Sequence, residues 1–247
     1  NETCNTCSYS NHLTSHSPIL ISNKIYQLLP FDQSHPLALN RIMPVIGLAQ
    51  SLNWLDESQY KESSIASVNM LARYHNVDYV EAVFSAENNR CIPGTLGKRF
   101  NLGRRGNSYF SKIFTRPATT AGASILAGQL LAHNEEGIIY SPAGGNHHAK
   151  KNQAAGFCIF NDPVLGILSM LDNGLKKVLY VDLDAHHGDG VQEAFQNDDR
   201  VFTISIHEKN RWPYTGKISE RGLGNIRNLP VPKDLNDNEM RELISEG

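Results

Sequence analysis

The middle of the sequence alternates between short apolar runs and amphipathic runs, with Gly, Asn and Pro at the boundaries. The apolar runs predict strands at 137–141, 177–183 and 201–206. The runs between them predict helices, the first of which is opened by Asn161 with Pro163 in its first turn. Strands joined through helices form right-handed crossovers, so the sequence predicts an α/β fold with a mainly parallel sheet and helices on both faces.

The regions outside this alternation are less regular. Residues 1–34 are polar and interrupted by prolines, and they predict an irregular N-terminal segment with at most one strand, at residues 19–21. Residues 35–247 are expected to form one domain. Residues 90–109 are rich in glycine and basic side chains and predict a long loop. The predicted helices, including those of the alternation, are 37–55, 64–74, 78–86, 116–133, 161–171, 190–196 and 236–245.

Composition argues against several classes of function. The 247 residues include 23 basic and 25 acidic side chains, and the net charge of −2 leaves no electrostatic surface for direct nucleic-acid binding. We recognise no signal peptide and no apolar run of membrane-spanning length, so we expect no membrane partner and a cytoplasmic location. The four cysteines are too scattered for a disulfide framework, and the isolated pair Cys4 and Cys7 predicts a mobile terminus rather than a zinc site.

Polar segments follow three of the predicted strands, at 143–149, 182–190 and 207–216. Ligands of open α/β sheets bind outside the carboxyl ends of the strands, so these segments are expected to meet at one site. In an extended segment Asp184 and His186 point the same way and could offer an oxygen and a nitrogen to one metal ion. The alternative is that the pair only caps the following helix.

Two adjacent histidines, His147 and His148, follow the first of these strands. A hydrolase needs one group that takes a proton from water and one that gives a proton to the leaving group, and histidine suits both roles near neutral pH. Each imidazole needs an orienting carboxylate, for which Asp182 and Asp189 are available. Asp182 lies on the same side of its strand as Asp184, and a monovalent cation between them would relieve their repulsion.

Four segments carry a resemblance to a known family: 142–149, 156–158, 181–191 and 201–207. They resemble the zinc-dependent histone deacetylase family, in particular its class I-like and bacterial acetoin-utilisation-type members. The resemblance implies an arginase/deacetylase-like three-layer α/β fold, with residues 35–247 as the catalytic domain. It also implies hydrolysis of an acyl-lysine amide, in a peptide or protein, or of a related acylated small amine.

The resemblance also implies roles for individual residues. Asp184 and His186 match two zinc ligands, and His147 and His148 match a catalytic pair backed by Asp182 and Asp189, with His148 as the principal general base. The implied substrate-binding residues are Gly156, Phe157, Cys158 and Trp212. The implied potassium site uses Asp182, Asp184, His186, Ser205 and Ile206, and a second monovalent site uses the backbone carbonyls of Phe195, Asp198 and Val201.

The chain departs from the family pattern in two ways. It has no Gly-x-Asp after Asp189, which would supply the third zinc ligand, and no Gly-Gly-Tyr, which would supply a tyrosine that stabilises the oxyanion. The catalytic domain is therefore expected to be C-terminally incomplete, and this piece alone to be weak or inactive. In addition, Arg104 and Arg105 follow residues 100–103, where class I members carry an acidic residue at the rim of the substrate tunnel.

Two other functions stay open at this point. The chain could be a catalytically inactive homologue that binds acyl-lysine or a polyamine. It could also be a manganese ureohydrolase of the arginase type, because the run from Asp184 to His186 is similar to the ligands of that family. Two clustered metal ions need more carboxylates than the sequence places here.

Overall fold

The computed structural model describes residues 18–28, 40–133 and 137–246. The pair Cys4 and Cys7 and the first residues of the helix predicted at 37–55 lie outside the described residues, as does most of the segment predicted to be irregular. Within that segment, residues 19–22 form a regular strand that pairs with two others. This part of the N-terminal segment therefore belongs to a sheet.

The described residues form six strands, all of them paired in parallel, in two three-stranded sheets. The first sheet has the order β2-β1-β3 and the second has the order β4-β5-β6. The parallel pairing confirms the predicted fold class, although the sequence had indicated one sheet and had missed β2 and β6. The strands are β1 (Ile19–Ser22), β2 (Tyr60–Glu62), β3 (Ile139–Tyr140), β4 (Val178–Asp182), β5 (Val201–Glu208) and β6 (Ile226–Val231).

Eight α-helices lie within the described residues, and none of them is long and apolar enough to cross a membrane. The predicted loop at 90–109 is wrong in part, because it contains the helix α4, whose buried side includes Phe100. The helix predicted at 64–74 is reduced to a single turn. The helices are α1 (Ile42–Ser51), α2 (Val68–Leu71), α3 (Val77–Asn89), α4 (Gly94–Phe100), α5 (Thr115–His133), α6 (Asp162–Asp172), α7 (Asp189–Phe195) and α8 (Asp237–Glu246).

Helix α6 is fixed by a side-chain cap at its N-terminus and by close packing against α5. The side chain of Asn161 accepts a hydrogen bond from the N–H of Val164, as predicted for an N-cap. Along its length α6 packs against α5, where a Cβ on Gly128 would lie 2.6 Å from the carbonyl oxygen of Gly166. Only glycine permits this approach, and it fixes the N-terminus of α6 beside the segment that follows β3.

The second sheet has one covered face. Apolar side chains of α6 and α7, among them Val164, Val191 and Phe195, form a buried cluster with the start of β5. On the opposite face Leu179 and Val181 are exposed in the part of the chain that the structure describes. These two residues alternate with the inward-facing residues of β4, so the sheet presents an apolar surface on this side.

The carboxyl ends of the strands bring the polar segments together, as predicted. In the register of the second sheet Asp182, the last residue of β4, pairs with Ser205 of β5. The segment after β3 reaches the same place, because the backbone N–H of Gly190 donates a hydrogen bond to the carbonyl of His147 at 3.0 Å. The start of α7 and the tandem histidines are thereby joined directly.

Candidate active site

The loop that carries the two histidines is anchored by a buried carboxylate. Asp162 accepts hydrogen bonds from the backbone N–H of Gly145 (3.2 Å) and of Asn146 (2.8 Å), and from the hydroxyl of Ser124 (2.7 Å). Burial raises the pKa of Asp162, and these hydrogen bonds act in the opposite direction. Sequence reasoning missed this role, because it interpreted Asp162 only as part of the start of a helix.

His147 is buried and bound to the end of β4. Its Nδ1 lies 2.6 Å from Oδ2 of Asp182, which also accepts a hydrogen bond from the hydroxyl of Tyr180 at 2.7 Å. A Cβ on Gly188 would lie 2.2 Å from the same oxygen, so this position has no room for a side chain. Because Nδ1 of His147 is engaged by Asp182, Nε2 is the ring nitrogen that remains for other contacts.

His148 forms a second, parallel pair. Its Nδ1 lies 2.7 Å from Oδ1 of Asp189, the first residue of α7. The other carboxylate oxygen of Asp189 is 2.7 Å from the ammonium of Lys150, which also contacts Glu193 at 2.9 Å. The rings of His147 and His148 have centroids 4.0 Å apart. The structure thus joins all four predicted catalytic residues in two histidine–carboxylate pairs.

The two histidines differ in their proton affinity. Burial acts to lower the pKa of His147, but the hydrogen bond and the charge of Asp182 outweigh it and the pKa is raised. For His148 burial prevails over the hydrogen bond with Asp189, and the pKa is lowered. Neighbouring groups whose pKa values are moved apart are typical of sites where one group holds a proton and the other accepts one.

Asp184 and His186 lie beside this pair and are partly open to solvent. Oδ1 of Asp184 is 2.8 Å from Nδ1 of His186, and it also accepts the backbone N–H of His186 at 2.8 Å. The rings of His186 and His148 have centroids 5.9 Å apart. The predicted metal ligands and the predicted proton-transfer groups therefore face a common space.

Gly156 packs tightly beside His148. A Cβ on Gly156 would lie 2.5 Å from His148 and 2.6 Å from Trp212, so only glycine fits between the two rings. Phe157 and Trp212 are each 40% exposed, which leaves part of both rings open to solvent. Cys158 is buried, and burial raises the pKa of its thiol to about 12, so it is unsuited to act as a nucleophile. Gly156 and Trp212 thus lie beside His148, whereas Phe157 has a partly exposed ring and Cys158 is buried.

Asn161 and His75, which sequence reasoning did not assign to the site, hold the backbone around the tandem histidines by hydrogen bonds. The side-chain amide of Asn161 donates to the carbonyls of His147 (3.2 Å) and Ala149 (2.9 Å). His75, which is 2% exposed, contacts the carbonyl of Lys150 and the backbone N–H of Asn161. The position of Asn161 before Pro163 predicted only a helix cap. His75 lies between α2 and α3, and no sequence pattern indicated a role for it.

A family model described as the histone deacetylase domain matches residues 35–247, the range in which these elements lie. The chain belongs to the histone deacetylase family. Its relatives include Histone deacetylase 6 of Arabidopsis thaliana, which is 35% identical over 227 residues, covering 87% of this chain and 47% of the relative. The acetoin utilization protein AcuC of Bacillus subtilis is 32% identical over 208 residues, covering 83% of this chain and 54% of that protein.

The histone deacetylase fold is also shown by solved structures. A histone deacetylase homologue from Aquifex aeolicus superimposes with a TM-score of 0.84 at 33% identity, covering 93% of this chain and 65% of that one. A structure of such a homologue complexed with SAHA matches equally well, with a TM-score of 0.84. The chain spans about half the length of the curated relatives it matches.

The histone deacetylase family uses zinc, and the donor atoms of this chain fit one ion in part. Oδ1 of Asp184 and Nδ1 of His186 lie side by side at 2.8 Å, and a carboxylate oxygen and an imidazole nitrogen are both ligand atoms of zinc. Among the residues that the structure describes, no group of three His, Cys, Asp or Glu side chains could hold a metal ion. Asp184 and His186 therefore stay the two predicted zinc ligands that this chain supplies.

The two predicted monovalent sites differ in their fit. Ser205 lies beside Asp182 in the register of β4 and β5, and Ile206 follows it, so the first set stays together as a prediction. The second set also stays a prediction. The carbonyls of Phe195, Asp198 and Val201 do converge, but on a protein group: the side-chain amide nitrogen of Asn225 donates to all three, at 2.8, 2.9 and 2.9 Å.

A second contact orients the Asn225 amide. Its oxygen accepts the backbone N–H of Leu223 at 3.0 Å, which leaves the nitrogen to face the three carbonyls. The buried amide thereby supplies the hydrogen-bond donors that the carbonyls require. A cation at the same point would have to displace this amide.

Proposed function

We propose that the whole protein is a deacetylase that hydrolyses the amide of an acylated lysine or of a related acylated small amine. The observation that carries the proposal is the pair of histidine–carboxylate contacts, with rings 4.0 Å apart, next to Asp184 and His186. Two oriented imidazoles beside two metal-ligand side chains match the needs of amide hydrolysis by activated water. Membership of the histone deacetylase family supports the acyl-lysine substrate.

The chemistry divides among the residues as follows. Asp184 and His186 would hold a zinc ion, which would supply Lewis-acid activation of the amide carbonyl and of the attacking water. His148, whose pKa is lowered by burial, is neutral near pH 7 and accepts a proton from the attacking water. His147, which is held by Asp182, keeps a proton and stabilises negative charge next to it.

The access route of the substrate is inferred to be a slot walled by Phe157 and Trp212, whose rings are each 40% exposed. Gly156 lies between His148 and Trp212, where a side chain would not fit. An extended alkyl chain such as that of lysine can pass between flat aromatic walls and bury its methylene groups. The proposed cofactors are one zinc ion per protein and a potassium ion near Asp182 and Ser205.

The test is hydrolysis by the whole protein of a panel of acyl-lysine peptides and acetylpolyamines, with and without a hydroxamate chelator, together with metal analysis. We expect turnover that the chelator abolishes, and one zinc per chain. Binding without turnover would instead indicate an inactive acyl-lysine or polyamine-binding homologue. Two manganese ions and hydrolysis of a guanidino substrate would indicate a ureohydrolase.

A further inference from the structure

A short turn at residues 103–107 lies against the entrance of the slot. The backbone N–H of Phe157 donates a hydrogen bond to Oδ1 of Asn107 at 2.9 Å. Gly106, with φ of +87°, packs so closely that a Cβ there would lie 2.9 Å from the ring of Phe157. The turn is therefore part of the rim beside one aromatic wall.

The turn is held in one conformation. The N–H of Gly103 donates to the carbonyl of Asn107 at 2.7 Å, and the N–H of Asn107 donates to the carbonyl of Arg104 at 2.9 Å. Asn107 is buried, and its amide also donates to the carbonyl of Asn101 at 3.1 Å. Side chains that project from this turn are thus presented at a defined place on the rim.

Two arginines, Arg104 and Arg105, occupy the exposed part of the turn. Within residues 18–28, 40–133 and 137–246, neither guanidinium takes part in an ion pair. Two other arginines are paired, since Arg99 contacts Asp78 and Arg211 contacts Glu208. The rim beside Phe157 therefore carries two positive charges that have no counterion among these residues.

We propose that Arg104 and Arg105 select acylated amines that carry a carboxylate next to the reacting side chain, such as an acetyl-lysine flanked by acidic residues. This inference rests on the proposed function and names its substrate class. A carboxylate within reach of either guanidinium gains a charge-assisted hydrogen bond or an exposed ion pair. A cationic neighbour is repelled over a distance comparable with the Debye length, about 8–10 Å.

The experiment uses the whole protein and three acetyl-lysine peptides that differ only in having Glu, Gln or Lys on both sides of the acetylated residue. Both kcat/KM and the Kd from a binding titration are measured for each peptide. We expect the acidic peptide to exceed the basic one by about 3- to 10-fold in each quantity, because two exposed pairs contribute modestly. High salt should reduce this ratio.

The double variant R104Q/R105Q should bring the acidic-to-basic ratio to about 1. The matched control is Arg227→Gln, at an exposed arginine of β6, which should leave the ratio unchanged. Acetyl-lysine with a free α-carboxylate, compared with its amide, tests whether a small substrate is selected in the same way as a peptide.

The possible outcomes separate this inference from the proposed function. A preference in binding without any turnover would support the selection by the rim and refute the hydrolase. Turnover with no charge preference, or a preference that R104Q/R105Q retains, would overturn the selection and leave the hydrolase standing. A preference for the basic peptide would overturn it as well.

Discussion

The backbone N–H of Asn161 donates a hydrogen bond to Nε2 of His75, 3.0 Å away. Nδ1 of the same ring lies 3.0 Å from the carbonyl oxygen of Lys150, so the neutral ring carries its proton on Nδ1. Asn161 also donates hydrogen bonds to the carbonyls of His147 and Ala149. His75 is therefore part of the hydrogen-bond network that positions the loop with the two histidines. A protonated His75 would have no acceptor for its Nε2 hydrogen.

This arrangement predicts a loss of stability in mild acid. Burial lowers the pKa of His75 to about 4 in the folded protein, below the usual value near 6.5. The unfolded state therefore binds more protons between these values, and the free energy of unfolding should fall by about 3 kcal/mol as the pH falls from about 6.5 to 4. Urea unfolding across this range, compared between the protein and His75→Gln, measures the contribution. An equal slope in both proteins would show that His75 is not the group responsible.

His148→Ala in the whole protein should reduce kcat by about 10²- to 10⁴-fold, because the general base is lost. Zinc content should stay the same, since His148 is bound to Asp189 and not to Asp184 or His186. The control is His133→Ala, at an exposed histidine at the end of α5, which should leave kcat unchanged. Loss of zinc from the His148 variant would mean that its role has been misassigned.

Gly156→Ala should close the slot. The added Cβ would lie 2.5 Å from His148 and 2.6 Å from Trp212, and the positive φ of 53° adds strain. Displacing the rings by about 1 Å should lower kcat/KM by about 100-fold. Gly47→Ala is the control, because nothing lies within 4 Å of a Cβ there, and helix α1 should tolerate or favour alanine. Kinetics on the whole protein, with circular dichroism as a check on folding, decide the matter.

Asn225→Ala should lower the free energy of unfolding, because three carbonyls lose their hydrogen-bond donor. The variant leaves the carbonyls of Phe195, Asp198 and Val201 without their shared donor, which should cost about 2–3 kcal/mol. Potassium chloride, compared with choline chloride, should stabilise the unmodified protein no more than it stabilises the variant, because the amide occupies the centre of the three carbonyls. If potassium stabilises the unmodified protein and the variant loses that effect, a cation binds here after all.

The sequence predicted the central part of the site because that part obeys a rule about sheets. Parallel strands end at the same edge, so the polar segments after β3 and β4 had to meet, and His147, His148, Asp182 and Asp189 do form two pairs. The sequence could not give the supporting contacts. His75 is 86 positions from the Asn161 N–H that it accepts, and no local pattern reports such a distance.

Local pattern also misled where tertiary packing prevailed. Two glycines and a basic run made residues 94–100 look like a loop, yet they form α4. Gly97 suits this helix because a Cβ there would make a tight contact of 3.0 Å with the carbonyl oxygen of Leu102. Sequence reasoning also missed Asn225, because the resemblance supplies the three carbonyls but does not show which side chain donates to them.

The uncovered face of the second sheet affects how this chain behaves in solution. Leu179 and Val181 of β4 are 60% and 49% exposed and stand on one side, next to the 40% exposed Phe202 of β5. A contiguous apolar surface of this kind tends to associate with other apolar surfaces. At high concentration the 247-residue chain should therefore self-associate, and a mild detergent should reduce this association.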